Sequence, residues 1–227
     1  MVIAFVGQKG GAGKSTFAIF TAAELAERGR RVLLVDADPQ GTARTWADIA
    51  SESGHEVPSV IAMGATMHRP GQLERVGAGY DLVLIDCPPR HGEILRSALM
   101  IADVAVLPCG PSPADAWALA TSLDLISEAQ VVRPTLRPCI AVTRIRPGTR
   151  IARSAKAALG QSGLPILPTQ WSYRVAYQEA LAAGQSLAAF APNDAATKEM
   201  KMFVDALLAF ATGGKRNGQS RSRNKAA

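Results

Sequence analysis

The sequence predicts an α/β fold: a mostly parallel, doubly wound sheet with helices on both faces, in a single domain. Three observations predict it. Short apolar runs alternate with helix-length segments along the chain, the pattern of crossover connections between parallel strands. The runs are rich in Val, Ile and Leu without polar alternation, as in strands buried on both faces. At 227 residues and 48% hydrophobic content the chain suits one domain with a sizeable core, and no linker or internal repeat interrupts it.

The strands are expected in this order. Val2-Ile3-Ala4-Phe5-Val6 is the first, and Val32-Leu33-Leu34-Val35 the second. Gly54 and Pro58 bracket a short third strand over Val60–Met63. Gly77-Ala78-Gly79 precede a fourth, Tyr80 to Ile85, closed by Asp86-Cys87-Pro88-Pro89. Val104–Pro108, Pro138–Thr143 and a short Pro165–Leu167 complete the set. Helices are expected over Phe17–Leu25, Ala114–Glu128, Arg150–Ser162 and Ala195–Phe210.

The most informative motif is Gly7-Gln8-Lys9-Gly10-Gly11-Ala12-Gly13-Lys14-Ser15-Thr16. It lies between the first strand and the first helix, the context a phosphate-binding loop requires. Gly10, Gly11 and Gly13 let backbone N–H groups close around a phosphate with no Cβ in the way. The helix that begins near Thr16 adds unpaired donors and partial positive charge. Lys14 is placed to reach the β- and γ-phosphates, and the Ser15 hydroxyl to ligate Mg²⁺. The expected fold is therefore that of a P-loop NTPase, with ATP and Mg²⁺ as its cofactors. One departure stands out. The usual pattern has a glycine where this chain has Gln8, and Lys9 follows it. Two ammonium groups crowd one small site, which fits additional negative charge close by.

In a parallel sheet, ligands bind beyond the C-terminal strand ends. Asp36 and Asp38 follow the second strand and Asp86 ends the fourth, so all three are expected near the loop. Carboxylates beside a triphosphate need a cation between them, which again points to Mg²⁺. Asp86 and Asp36 are the candidate metal residues alongside Ser15.

The string Lys9 to Thr16 resembles the deviant Walker A motif of the ParA/MinD family of ATPases. The resemblance implies that Lys9 crosses a dimer interface to the partner's nucleotide. It implies that Asp38, in Asp36-Ala37-Asp38-Pro39-Gln40, orients the attacking water, that Asp36 supports the metal shell, and that Asp86-Cys87-Pro88-Pro89 is a switch. Lys9, Lys14 and Asp38 are then the catalytic set. Gly110-Pro111-Ser112-Pro113 is similar to the proline-rich turn of small ParF-type partition ATPases. Thr143-Arg144 matches the position where relatives approach the adenine base, and Gln170 to Tyr177 resembles their late loop beside the nucleotide.

On that resemblance the expected function is ATP-dependent positioning of cargo, either a plasmid or chromosome or a protein organelle. An ATP-bound homodimer would hold nucleoid DNA without sequence preference, and a separate adaptor would stimulate hydrolysis. The residues offered for DNA are Arg146, Arg150, Arg153 and Lys156, with Arg174; the first three recur at helical spacing, as if on one face. The alternatives are a MinD-like membrane-cycling regulator, for which Glu199 to Phe210 is an amphipathic candidate, and a nucleotide-switched scaffold that barely hydrolyses; such a stripe is more often core packing, and no membrane partner is expected.

The net charge of +6 is uneven. Residues 212–227 hold Lys215, Arg216, Arg221, Arg223 and Lys225 with no acidic residue. Without these five charges the body sits near +1. The segment is too polar to bury a core, and a disordered basic tail is expected there, beyond an ATPase domain at 1–211. Cys87, Cys109 and Cys139 have no metal-ligand spacing and are expected as buried, reduced thiols. His55, His68 and His91 are expected in loops. No run reaches a membrane span and no leader is evident, so a cytoplasmic, nucleoid-associated location is expected.

Overall fold

A computed structural model describes residues 1–213. The basic tail lies outside the described residues apart from Thr212 and Gly213, as does the side chain of Lys156. Strands β1 (Val2–Phe5), β2 (Val32–Asp36), β3 (Ser59–Ala62), β4 (Leu82–Asp86), β5 (Val104–Cys109), β6 (Arg137–Ile145) and β7 (Ile166–Ser172) form one sheet, ordered β3-β2-β4-β1-β5-β6-β7. Every pairing is parallel.

The strands are buried because each serves two layers. Ile3 and Phe5 face one layer and Ala4 and Val6 the other, and Val32 and Leu34 alternate likewise with Leu33 and Val35. The first layer packs α1 (Lys14–Glu27), α2 (Thr42–Glu52), α7 (Val175–Ala182), α8 (Leu187–Phe190) and α9 (Ala195–Ala211). The second packs α3 (Leu73–Gly77), α4 (Gly92–Ile101), α5 (Pro113–Val132) and α6 (Arg150–Gly160).

Aromatic residues gather in the first layer. Phe17 stacks on Trp171 with ring centroids 3.5 Å apart, and Phe203 meets Phe17 edge-on at 4.8 Å. This contact explains one correction. The segment from Gln170, expected as loop, continues β7 to Ser172 because Trp171 is buried against the phosphate-loop helix. Helix α9 packs into the same aromatic cluster through Phe203. Its apolar stripe of Met200, Phe203, Val204 and Leu207 is core, so it offers no membrane-facing surface. Among the described residues no helix is long and apolar enough to cross a membrane.

Parallel register brings the acidic strand ends together. Asp36 pairs with Asp86 across β2 and β4, and Asp86 with Phe5 across β4 and β1. The two carboxylates therefore sit beside the loop that leaves β1. Cys87, Cys109 and Cys139 are free and buried. Burial pushes the thiols of Cys109 and Cys139 up to about 12, so they are unreactive packing groups.

Candidate active site

The loop Gly7–Gly13 joins β1 to α1. Gly13, the N-cap of α1, has φ 97° and Gly11 has φ 69°. These left-handed values favour glycine, and they turn the chain back over the helix end. No side chain caps α1, so the amides of its first turn stay available to an anion.

Lys14 and Asp86 are both buried charged residues. The Lys14 ammonium donates to the Lys9 carbonyl at 3.0 Å. Burial lowers its pKa, opposed by the nearby Asp86. Asp86 is fully buried and neither carboxylate oxygen has a hydrogen-bond partner. Burial raises its pKa to about 7, opposed by Lys14 and by the neighbouring Ser15 hydroxyl, which lies close but outside hydrogen-bond geometry. A buried carboxylate without partners is costly in an empty chain and is matched to a cation. Among the described residues no three His, Cys, Asp or Glu side chains cluster for a metal. That fits a magnesium held mainly by phosphates and water, with one or two protein oxygens.

Asp36, expected to support the metal shell, is also tied to the backbone. Its Oδ1 accepts from the Asp38 amide at 3.1 Å and its Oδ2 from the Arg44 amide at 3.0 Å. Both oxygens are committed to the backbone, so Asp36 shapes the turn that carries Asp38 and caps α2 at long range. Asp38 is half-buried, and its Oδ1 accepts from the Gln40 amide at 2.9 Å.

Thr143 and Arg144, expected at the nucleotide base, brace the loop itself. Thr143 Oγ1 donates to the Ala12 carbonyl at 3.3 Å, and Arg144 donates to the Gly11 carbonyl at 3.0 Å. Both also line a cavity of about 320 Å³ with Gly13, Thr16, Trp171 and Tyr177. It opens beside the phosphate loop and has room for a nucleoside.

Lys9 does not extend outward. Its ammonium lies 2.6 Å from Asp115 Oδ1. Asp115 went unnoticed in the sequence, although Ser112-Pro113-Ala114-Asp115 is a capping-box signature and the box forms at the start of α5. That signature marks a helix start; it says nothing of a lysine more than a hundred positions earlier.

The basic residues separate. Arg150 and Arg153 share the exposed first turn of α6. Arg146 is exposed but lies in the preceding loop, over the Tyr173 ring at 5.7 Å, because β6 runs to Ile145 and α6 starts only after the Thr149 cap. The single helical face expected for all three is replaced by a loop and a helix start. Arg174 is paired with Glu199 at 2.7 Å, and Glu199 also accepts from Ser172. It ties β7 to α9 instead of standing free.

Residues 3–187 match the model of the CobQ/CobB/MinD/ParA nucleotide-binding domain. The chain belongs to that family. It is an ATPase of the ParA/MinD group. It is 33% identical over 187 residues to "Maintenance of carboxysome distribution protein A" of Halothiobacillus neapolitanus, covering 82% of this chain and 85% of that protein. It is 32% identical to the "Chromosome-partitioning ATPase Soj" of Thermus thermophilus, covering 91% and 95%. A solved structure of cobyrinic acid a,c-diamide synthase from Mycobacterium smegmatis, with bound ATP analogue and magnesium, superposes with a TM-score of 0.76 at 22% identity, covering 95% of this chain and 97% of that one. At that identity the likeness concerns the fold. In this ParA/MinD-type site, Lys9, Lys14, Ser15, Asp36, Asp38 and Asp86 converge at one end of the sheet, while Arg146, Arg150 and Arg153 stand outside it.

Proposed function

We propose that this ATPase positions cargo in the cell. It takes up ATP with Mg²⁺, closes into a homodimer, holds nucleoid DNA without reading sequence, and lets go on hydrolysis stimulated by an adaptor protein. The observation that carries this reading is one loop bearing both Lys9 and Lys14 in front of an unpartnered, buried Asp86. Relatives named for carboxysome distribution and for chromosome partitioning support the positioning role. The cargo is a replicon or a protein organelle, and the place of work is the nucleoid in the cytoplasm.

Each residue has a physical task. Gly10, Gly11, Gly13 and the amides of Lys14, Ser15 and Thr16 would cradle the phosphates. Ser15 and Asp86 would hold Mg²⁺, which supplies charge neutralisation at the terminal phosphoryl group. Lys14 neutralises the phosphates of its own subunit and Lys9 those of the partner. Thr143 and Arg144 fix the loop against β6. Asp38 orients water, once it leaves the Gln40 amide. Positioning of this kind is the main work of a protein in phosphoryl transfer.

Because Asp38 is engaged by Gln40, basal turnover is expected to be slow and to rise with the adaptor. That same contact favours the second reading, a nucleotide-switched scaffold with little hydrolysis. Asp38→Ala decides between them. Turnover should fall by about a hundredfold or more while Mg²⁺-dependent nucleotide binding survives. Equal steady-state phosphate release from variant and wild type, with adaptor present, would leave only the scaffold.

The DNA contact rests on Arg150 and Arg153. The first turn of α6 carries no acidic residue, and cations there oppose the helix dipole. An arrangement unfavourable to the isolated helix is repaid by a polyanion. Arg150→Glu with Arg153→Glu should weaken retention of unrelated duplex DNA at least tenfold and lower the salt slope by about two. Retention measured across a salt series checks both; an unchanged slope removes these residues from the interface.

A further inference from the structure

The sheet carries a second recess at the end away from the phosphate loop. β1 and β4 finish at that loop and at Asp86. Where they begin, a cavity of about 450 Å³ opens between the β3–α3 connection, α3 and the end of α4. It is larger than the cavity beside the phosphate loop. Met67, Leu73 and Val83 are buried and form its floor, and Ile101 lines it from α4. Val76 and Met100, next to lining residues on α3 and α4, are 46% and 41% exposed. An open apolar recess beside exposed apolar side chains marks a docking place.

Polar groups at the recess narrow the choice of occupant. Arg69 lines it and Arg75 lies next to its lining on α3; both are exposed and form no ion pair among the described residues. Glu74 is the carboxylate of the lining, and Arg133 is already matched by Asp103 at 2.7 Å. Unpaired positive charge is therefore in excess. His68 adds a donor. Its Nδ1 lies 2.7 Å from Ser97 Oγ, which also accepts from the His68 amide at 3.2 Å. The hydroxyl proton thus serves Nδ1, and the neutral ring carries its own proton on Nε2, which has no partner among the described residues.

We infer that this recess docks a partner protein through a peptide segment whose large apolar side chains are flanked by carboxylates. The apolar side chains fill the cavity over Met67 and Leu73, and the carboxylates meet Arg69, Arg75 and His68. Each half of that chemistry excludes another occupant. A nucleic acid would satisfy the cations and leave the apolar floor uncovered. Residues 214–227 of this chain hold five cations and no acidic residue, the wrong charge for this rim. The recess lies at the opposite end of β1 and β4 from the phosphate loop, so the inference stands apart from the dimer and DNA readings above.

The test pans a display library of random dodecapeptides on the full-length protein. Enriched peptides should carry Leu, Phe or Trp next to Asp or Glu. A labelled synthetic copy of the most enriched peptide then reads affinity by fluorescence anisotropy. Ala78→Trp, an exposed position on the lining, blocks the recess and should weaken that peptide by about tenfold or more. Arg69→Glu should weaken it by about fivefold and flatten its salt dependence, and Arg69→Lys should recover most of the loss. No enrichment, enrichment of basic peptides, or equal affinity for wild type and Ala78→Trp overturns the inference. If Ala78→Trp lacks a cooperative native melt, Arg69→Glu decides alone, and unchanged affinity there overturns it. Two further results assign the recess to another occupant and also overturn it: nucleotide-independent dimers that Ala78→Trp abolishes, which make it a contact between copies of this chain, and retention of short duplex DNA that Arg69→Glu abolishes when no peptide is enriched.

Discussion

Lys14→Ala should abolish ATP binding at ordinary concentrations, with a loss of two to three orders of magnitude in affinity. Lys14 is buried beside the loop, with its ammonium held at the Lys9 carbonyl. A charged hydrogen bond to phosphate in such a site is worth roughly 3–4 kcal/mol when one partner is truncated. Folding should not suffer. Burial already lowers the Lys14 pKa, so removing the ammonium relieves a desolvation penalty. The expected result is a variant with wild-type or higher Tm in the absence of nucleotide and no heat on titration with ATP and Mg²⁺. Lys9→Ala should behave differently, keeping ATP binding while losing dimerisation. Calorimetry on both variants separates them. Unchanged affinity in Lys14→Ala would refute the phosphate-loop reading.

Asp86→Asn should move stability in opposite directions with and without ligand. The Asp86 carboxyl is raised from 3.8 to about 7, chiefly by burial. A raised acid binds its proton more tightly in the folded chain than in the unfolded one. Its contribution is therefore full below about pH 4 and is lost as pH rises through about 7. The loss is on the order of 4 kcal/mol above neutrality. Asparagine carries no charge to desolvate. At pH 8 without nucleotide the variant should melt roughly 8–16 °C above wild type, and the gain should vanish near pH 4. With ATP and Mg²⁺ the order reverses, since wild type gains a cation at Asp86 and the variant does not. Thermal melts over this pH range, with and without Mg²⁺-nucleotide, check both halves. A variant that is no more stable at pH 8 would mean that Asp86 is already satisfied within the chain.

Much of the fold was legible because its signals are local. Seven apolar runs gave seven strands, and Gly7 to Thr16 gave the loop, since glycine spacing and the following helix act within one turn of chain. The boundaries that moved did so for non-local reasons. β7 extends to Ser172 because Trp171 stacks on Phe17, far away in sequence. α2 and α4 start without a side-chain N-cap hydrogen bond, so no residue marks their beginnings. The amphipathic stripe of α9 has one meaning on a membrane and another in a core, and only the packing of Phe203 on Phe17 and Trp171 distinguishes them.

The site divides in the same way. Sequence alone determined the phosphate loop, its two lysines and the carboxylates at the strand ends, because residue type and spacing suffice for those. Tertiary structure alone decided which groups are free. Asp36 is engaged by two amides and Asp86 by none; Lys9 rests on Asp115 and Arg174 on Glu199. These assignments depend on partners brought close by parallel strand pairing and helix packing. Electrostatic energy follows distance and burial in space, and neither is written in the order of residues.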